Sequence, residues 1–361
     1  MNVKAQITNL VPYKPGRSSE EVKKEFGLSE IVKLASNENP FGYSPKIDAW
    51  FKENGINHAI YPDGYAANLR YALAEKYSLN PEQFIIGNGS DEVIQIVSRA
   101  LLEKGKNTIM PVPTFPQYKH NAIIEGAEAI EVPLVNGAHD LKKMAEMIDE
   151  NTSLIWVCSP NNPTGTYISD QKLRHFLDLV PEHVLVVLDE AYYEYVEAVD
   201  YYDALSLLRT YPNLLVTRTF SKAYGLAGFR VGYGMASPEL IASIEPVREP
   251  FNTNVLGQIS AEIALSDPEF IEVCRKENKE GLKQYYAFCD ELGLSYYPSS
   301  GNFILIDFKK DGDYLFEELM KKGFIVRSGQ ALGFPTSLRI TIGSKAQNEK
   351  IIQALKTILT Q

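Results

Sequence analysis

The sequence predicts an α/β protein: a large domain on a mostly parallel seven-stranded sheet covered by helices, a smaller C-terminal α+β domain, and an N-terminal arm. Three observations support this. The 361 residues, 45% of them hydrophobic and 23% charged, exceed the usual size of a single core. Apolar runs alternate with helix-period segments from about residue 65 to 236. After about residue 250 the alternation gives way to one long helical stretch and short strands.

Taken in order, residues 1–30 carry Pro12, Pro15, Gly16 and Gly27 with little periodicity and read as an extended arm. Residues 31–250 form the predicted large domain. Its strands are expected at Phe84–Ile86, Thr108–Met110, Ala129–Val132, Leu154–Cys158, Leu185–Leu188, Leu215–Thr219 and Val231–Met235. Several are Val, Ile and Leu runs apolar on both faces, as in a parallel sheet covered on both sides. Helical periodicity over Glu92–Glu103, Asp170–Leu179 and Pro238–Glu245 completes a doubly wound pattern. Residues 251–361 form the predicted small domain. A helix runs from Pro268 to about Leu292, and strands follow at Phe303–Phe308, Phe324–Val326 and Leu338–Ile342, with one helix between the first two and another at the end.

Composition excludes several classes of function. A net charge of −10 argues against a nucleic-acid partner, which needs a basic face. It leaves room for anionic ligands, because local arginines and backbone N–H groups outweigh a diffuse negative charge. No apolar window suggests a signal peptide or a membrane span. Cys158, Cys274 and Cys289 have no C-x-x-C spacing, so reduced thiols and a cytoplasmic location are expected. The five histidines form no H-E-x-x-H or similar cluster, and no metal site is expected.

The chemistry is concentrated where three predicted strands end. Thr219-Phe220-Ser221-Lys222-Ala223-Tyr224-Gly225 places a lysine directly after a strand, with a glycine-rich turn and Arg230 eight residues on. A lone Ser-Lys pair is most often a solvated strand end. Here the glycines allow close approach to a ligand, Ser221 and Arg230 suit a phosphate, and desolvation can make the lysine a nucleophile. Ser159-Pro160-Asn161-Asn162-Pro163-Thr164-Gly165 and Asp189-Glu190-Ala191-Tyr192 follow two more strands. Each alone is compatible with turn or cap chemistry. Together they lie at carboxyl ends of strands, where open α/β sheets bind ligands. Gly87-Asn88-Gly89-Ser90-Asp91-Glu92 joins a strand to a helix, so free N–H groups there can meet an anion. Read as ordinary first-turn acids, Asp91 and Glu92 would simply favour the helix dipole with their side chains turned outward.

With these motifs, and with Leu34-Ala35-Ser36-Asn37-Glu38-Asn39-Pro40-Phe41-Gly42 and Leu338-Arg339-Ile340-Thr341-Ile342-Gly343, the chain resembles the fold-type-I aminotransferases of the aspartate aminotransferase superfamily over about residues 5 to 358. Within it the resemblance is greatest to the histidinol-phosphate aminotransferases. The resemblance implies pyridoxal 5'-phosphate as cofactor, with Lys222 as the Schiff-base lysine and proton shuttle. It implies Asp189 at the pyridinium nitrogen, Asn162 and Tyr192 at the ring 3-oxygen, and Phe115 stacked on the ring. The phosphate falls to Ser90 and Asp91 through their backbone, with Ser221 and Arg230. Tyr61 is implied to reach the cofactor phosphate of a neighbouring subunit, which makes the protein a homodimer.

For substrates, the resemblance implies that Arg339 grips a carboxylate, with Arg327 a second cation and Tyr13 a phosphate contact from the arm. One cluster then serves both histidinol phosphate and glutamate or 2-oxoglutarate. A surface ion pair is the bland alternative for either arginine. Threonine-phosphate decarboxylases and aromatic aminotransferases share much of the pattern. A non-enzymatic regulator is disfavoured because the lysine, aspartate and arginine are all present, and because the 30-residue arm is expected to leave no room for a DNA-binding domain. A nucleotide-binding dehydrogenase is disfavoured because no G-x-G-x-x-G follows a predicted strand.

Overall fold

The computed structural model describes residues 3–8, 10–12 and 16–360. Strand β1 (Val32–Lys33) precedes the large sheet, which is built from β2 (Phe84–Gly87), β3 (Asn107–Val112), β4 (Glu128–Pro133), β5 (Thr152–Cys158), β6 (Leu185–Asp189), β7 (Leu214–Thr219) and β8 (Gly232–Met235). The smaller lobe carries β9 (Ser295–Tyr296), β10 (Phe303–Asp307), β11 (Phe324–Ile325), β12 (Arg327–Ser328) and β13 (Ser337–Thr341).

The seven strands of the large sheet run in the order β2-β8-β7-β6-β5-β3-β4. Only β8 opposes its neighbours, pairing antiparallel with both β2 and β7. The alternation of side chains explains why the central strands are apolar throughout. Ile155 and Val157 of β5 enter the core on one face with Val186 and Leu188 of β6. Leu154, Trp156 and Cys158 enter the opposite core with Leu185 and Val187. β5, β6 and β7 are thus held between two helical layers, with their carboxyl ends side by side.

The small sheet is antiparallel, in the order β12-β13-β10-β9. Ile304, Ile306, Leu338 and Ile340 pack on one face against the helices Pro268–Leu292 and Lys345–Leu359. The other face carries Phe303 opposite Thr341 and Leu305 opposite Arg339. Period-two geometry therefore commits one face to the small core and presents Arg339 and Thr341 on the other.

Two local expectations change. The stretch read as an extended arm contains a helix, Ser19–Phe26, with a Ser18/Glu21 capping box and Gly27 in left-handed conformation at its end. Only Val22 is buried on it, so apolar periodicity was too sparse to reveal the helix, although Ser-x-x-Glu and the glycine were visible. The strand expected at 324–326 ends at Ile325, and a second strand follows at Arg327–Ser328. β11 pairs in parallel with β1, and β12 pairs with β13. A division of the chain at residues 31 and 251 remains a proposal. Val32 and Leu34 share the small lobe's apolar cluster, and Ala261 and Ala264 share that of the large sheet.

The turn after β7 packs tightly against the segment before the first helices of the large lobe. Gly225 has φ +73°, and a Cβ there would lie 1.8 Å from the Gly42 carbonyl oxygen. Both partners are backbone, so neither can rotate away. Gly225→Ala is expected to lower Tm by several degrees and to weaken cofactor retention by displacing Lys222. Thermal unfolding and cofactor titration of the purified variant check this, and parental values for both would contradict it.

Candidate active site

A cavity of about 270 Å³ opens at the carboxyl ends of β5, β6 and β7, beneath the free face of the small sheet. Ser90, Asp91, Phe115, Asn162, Asp189, Tyr192, Ser221, Lys222, Arg230 and Arg339 all line it, together with Ser36, Asn37, Gln117 and Cys158. Ten residues singled out from sequence, spread over 250 positions, converge there. Arg327 is not among the lining residues. It is half-buried on β12 directly opposite Arg339, so the two side chains share one face of the sheet. Tyr61 is 78% exposed and stacks on Phe251 of the same chain, with ring centroids 4.6 Å apart, away from the cavity. Tyr13 lies outside the described residues.

Asp189 ends β6 and is buried at the cavity floor. One carboxylate oxygen accepts from the Ala191 N–H at 3.1 Å, and the other from the Tyr118 hydroxyl at 2.6 Å. Burial pushes its carboxyl up to about 6, while these two donors pull it back down. Tyr118 is fully buried and stacked on Trp156 at 4.6 Å, so its hydroxyl cannot swing away. It was missed in the sequence, although it stands three residues after Phe115 in the first turn of the helix Gln117–Glu125.

Half-buried Lys222 follows β7, and its Nζ donates to the Ser36 carbonyl at 3.1 Å. Burial and then the positive charge of Arg339 bring its ammonium down to about 8. A useful fraction is therefore the neutral, nucleophilic amine near neutral pH.

At the other end of the cavity the helix Ser90–Leu101 begins after Gly89, which has φ +81°. A Cβ on Gly232 would meet the Ser90 nitrogen at 2.3 Å, and one on Gly89 would meet Arg230 Nη2 at 2.7 Å. Both glycines allow this close packing of β8 and Arg230 on the helix start. Arg230 Nη1 donates to Ser221 Oγ at 3.4 Å and Nη2 to Asp91 Oδ2 at 3.2 Å. Glu92 turns back to accept from the Asn88 N–H and from Asn252 Nδ2. The Asp91 carboxylate is partly exposed and pairs with the Arg230 guanidinium at the helix start, beside the cavity.

Arg339 is buried on β13. Its Nη1 donates to Asn162 Oδ1 and its Nη2 to the Ala35 carbonyl, both at 2.7 Å. Asn162 Nδ2 donates to the Tyr192 hydroxyl at 3.3 Å, and Asn37 Nδ2 donates to the same oxygen at 3.1 Å. Asn37 was visible within the Leu34–Gly42 motif but carried no assigned role.

The site and fold define an aminotransferase. The sequence profile described as aminotransferase class I and II matches residues 29–355, and the chain belongs to that family. Its relatives narrow the class. It is 59% identical to the histidinol-phosphate aminotransferase of Bacillus licheniformis, over 99% of this chain and 100% of that protein. It is 58% identical to that of Anoxybacillus flavithermus, over 100% of this chain and 97% of the relative. Its fold matches the crystal structure of histidinol-phosphate aminotransferase from Sinorhizobium meliloti in complex with pyridoxal-5'-phosphate, with TM-score 0.90 and 26% identity over 99% of this chain and 97% of that one.

The cavity fits such a cofactor on its own chemistry. A nucleophilic amine, a buried carboxylate for a ring nitrogen and an aromatic wall stand around one space. Close packing at Gly89 and Gly232 brings a helix N-terminus, a serine and an arginine together at the far end, a set suited to a phosphate. No group of three or more His, Cys, Asp or Glu side chains among the described residues is arranged to hold a metal.

Tyr118 supplies a test of the cavity floor. Asp189 is ionised above about 6 and neutral below, so its pull on a ring cation is present at high pH and lost as pH falls. Tyr118→Phe removes a donor to the charged form and should move that loss upward by about one pH unit, the equivalent of ~1.4 kcal/mol. The dissociation constant of the cofactor, measured against pH for parent and variant, reads this directly. Superimposable profiles would refute it.

Proposed function

We propose that this chain transfers an amino group between histidinol phosphate and 2-oxoglutarate, forming imidazole acetol phosphate and glutamate reversibly, as a step of L-histidine biosynthesis. The observation that carries the reading is the meeting of Lys222, Asp189 and Arg339 in one cavity. Identity of 55–59% with histidinol-phosphate aminotransferases over essentially the whole chain supports the choice of substrate.

Pyridoxal 5'-phosphate, when bound, supplies the electron sink that allows the bond between the substrate Cα and its hydrogen to break. The protein does the rest. Lys222 is the residue that would hold the cofactor aldehyde, and its amine would move the proton at the substrate Cα. Its lowered basicity suits both tasks. Asp189 holds a negative charge against the ring nitrogen, in a place where water cannot screen it. Asn162 and Tyr192 would meet the ring oxygen, and Phe115 would cover the ring. The N–H groups of Ser90 and Asp91, with Ser221 and Arg230, hold the phosphate. Arg339 grips the substrate carboxylate or phosphate, with Arg327 and Tyr13 as further anion contacts.

A homodimer is part of the proposal. Tyr61 faces away from its own cavity, and Ile60, Tyr65 and Phe251 near it are also exposed. An apolar surface of this kind suits burial against a second copy, from which Tyr61 would reach the neighbouring phosphate. A cytoplasmic setting is likewise proposed, in keeping with three free cysteines. Among the described residues no helix is long and apolar enough to cross a membrane.

Two experiments test the reading. Purified protein with histidinol phosphate and 2-oxoglutarate should release glutamate and no carbon dioxide. Unphosphorylated histidinol should be poorer by roughly two orders of magnitude in kcat/KM, because each lost charge-assisted hydrogen bond costs about 1.5–3 kcal/mol. Carbon dioxide from threonine phosphate would favour a decarboxylase, and equal kcat/KM for phenylalanine an aromatic aminotransferase. In the second, borohydride reduction of the holoenzyme should fix the cofactor to Lys222 on peptide mapping, and Lys222→Ala should abolish the fixation. Label on another lysine would sink the assignment.

A further inference from the structure

Tyr192 is where the lobes meet chemically. Its hydroxyl oxygen receives Nδ2 of Asn162 at 3.3 Å and Nδ2 of Asn37 at 3.1 Å. Amide nitrogen and oxygen are assigned from their partners, and here the partners discriminate. Asn162 Oδ1 faces Arg339 Nη1, and a guanidinium can only donate, so Nδ2 must face Tyr192. Thr341 Oγ1 accepts from the Asn37 backbone N–H at 2.9 Å and donates to Asn37 Oδ1 at 3.0 Å. Turning the Asn37 amide over would leave that buried hydroxyl proton without an acceptor among these partners. Asn37 is itself held in the left-handed region at φ 55°, with its carbonyl accepting from Asn302 Nδ2 at 3.0 Å.

A phenol has two acceptor positions and one proton. With amide donors on both acceptor positions, the proton of Tyr192 must leave in the remaining direction, towards the cavity that Tyr192 lines. Both amides are in turn oriented by β13: Arg339 sets Asn162, and Thr341, two residues on and on the same face, sets Asn37.

We propose that Asn37, oriented by Thr341, is a positioning residue that fixes Tyr192 as a hydrogen-bond donor into the cavity and ties that role to the seating of the small lobe. The proposal rests on the reading of Tyr192 as a ligand of the cofactor ring oxygen. A donor there stabilises negative charge on that oxygen and so lowers the basicity of the linked nitrogen nearby. The charged and titratable groups that face Tyr192 are Arg339 from β13, Lys222 after β7, Cys158 and Asp189 at the ends of β5 and β6, and Tyr195 three residues on. None is altered in the test.

The test compares N37D, T341V, T341S, Y192F and N37D/Y192F holoenzymes. It measures the pH midpoint of the visible absorbance of the bound cofactor and the cofactor dissociation constant. Asn37→Asp preserves shape and tolerates the left-handed backbone, but presents an acceptor that draws the Tyr192 proton away from the cavity. N37D should raise the midpoint by about one unit, equivalent to ~1.4 kcal/mol, and weaken cofactor binding. T341V should shift it in the same direction by less, and T341S should restore the parental value. N37D/Y192F should match Y192F alone, because without the hydroxyl there is no proton to redirect. If Y192F moves the midpoint while N37D and T341V leave it unchanged, the proposal is overturned. It is also overturned if the N37D shift adds in full to that of Y192F, which would mark a plain charge effect. If Y192F itself leaves the midpoint unmoved, the reading of Tyr192 fails, and the proposal with it.

Discussion

The hydrogen bond from Arg339 to Asn162 makes two lobes into one site. The arginine belongs to β13 of the small sheet and the asparagine follows β5 of the large one, yet they meet at 2.7 Å in a buried setting. A guanidinium with weak partners is costly to bury, so the seating of one lobe on the other depends on this contact and on the companion bond to the Ala35 carbonyl. The same contact orients the Asn162 amide and, through it, one of the two donors on Tyr192. Assembly and chemistry therefore share an interaction.

The cavity shows how a chain with a net charge of −10 can hold anions. Arg230, Lys222 and Arg339 gather around it, and Arg327 stands beside Arg339 on the adjacent strand. The acidic side chains nearby are restrained in different ways. Glu92 is turned back to Asn88 and Asn252, Asp91 is paired with Arg230, and Asp189 is held by Tyr118 and Ala191. Local geometry, and not the overall charge, sets the field in the site. That field also lowers Lys222, through the desolvation of its ammonium and the charge of Arg339.

Much of the large lobe was legible because a central parallel strand must be apolar on both faces, and β5 and β6 read that way residue by residue. The motifs after β5, β6 and β7 were legible only together, since each alone suits an ordinary turn or cap while three at the carboxyl ends of such strands mark a ligand site. Shorter elements were harder to read. The helix Ser19–Phe26 buries only Val22, and the two-residue strands β11 and β12 exist by virtue of what they pair with, which periodicity does not encode. Tyr118 stayed hidden because a tyrosine on a helix beside a buried tryptophan looks like ordinary core until its hydroxyl is seen on Asp189.

The sequence by itself determined the α/β class and the order of the strands that carry chemistry, and it singled out Lys222, Asp189, Arg230 and Arg339 as candidates, because these follow from local patterns of burial and from motifs at strand ends. Tertiary structure alone decided which of them meet. Arg339 and Asn162 are separated by 177 positions and Asn37 and Thr341 by 304, and no local pattern specifies contacts at that range. It also decided the direction of each proton. A hydroxyl or an amide can donate or accept, and only the full set of neighbours, assembled by the packing of both lobes, leaves the phenol of Tyr192 a single way to point.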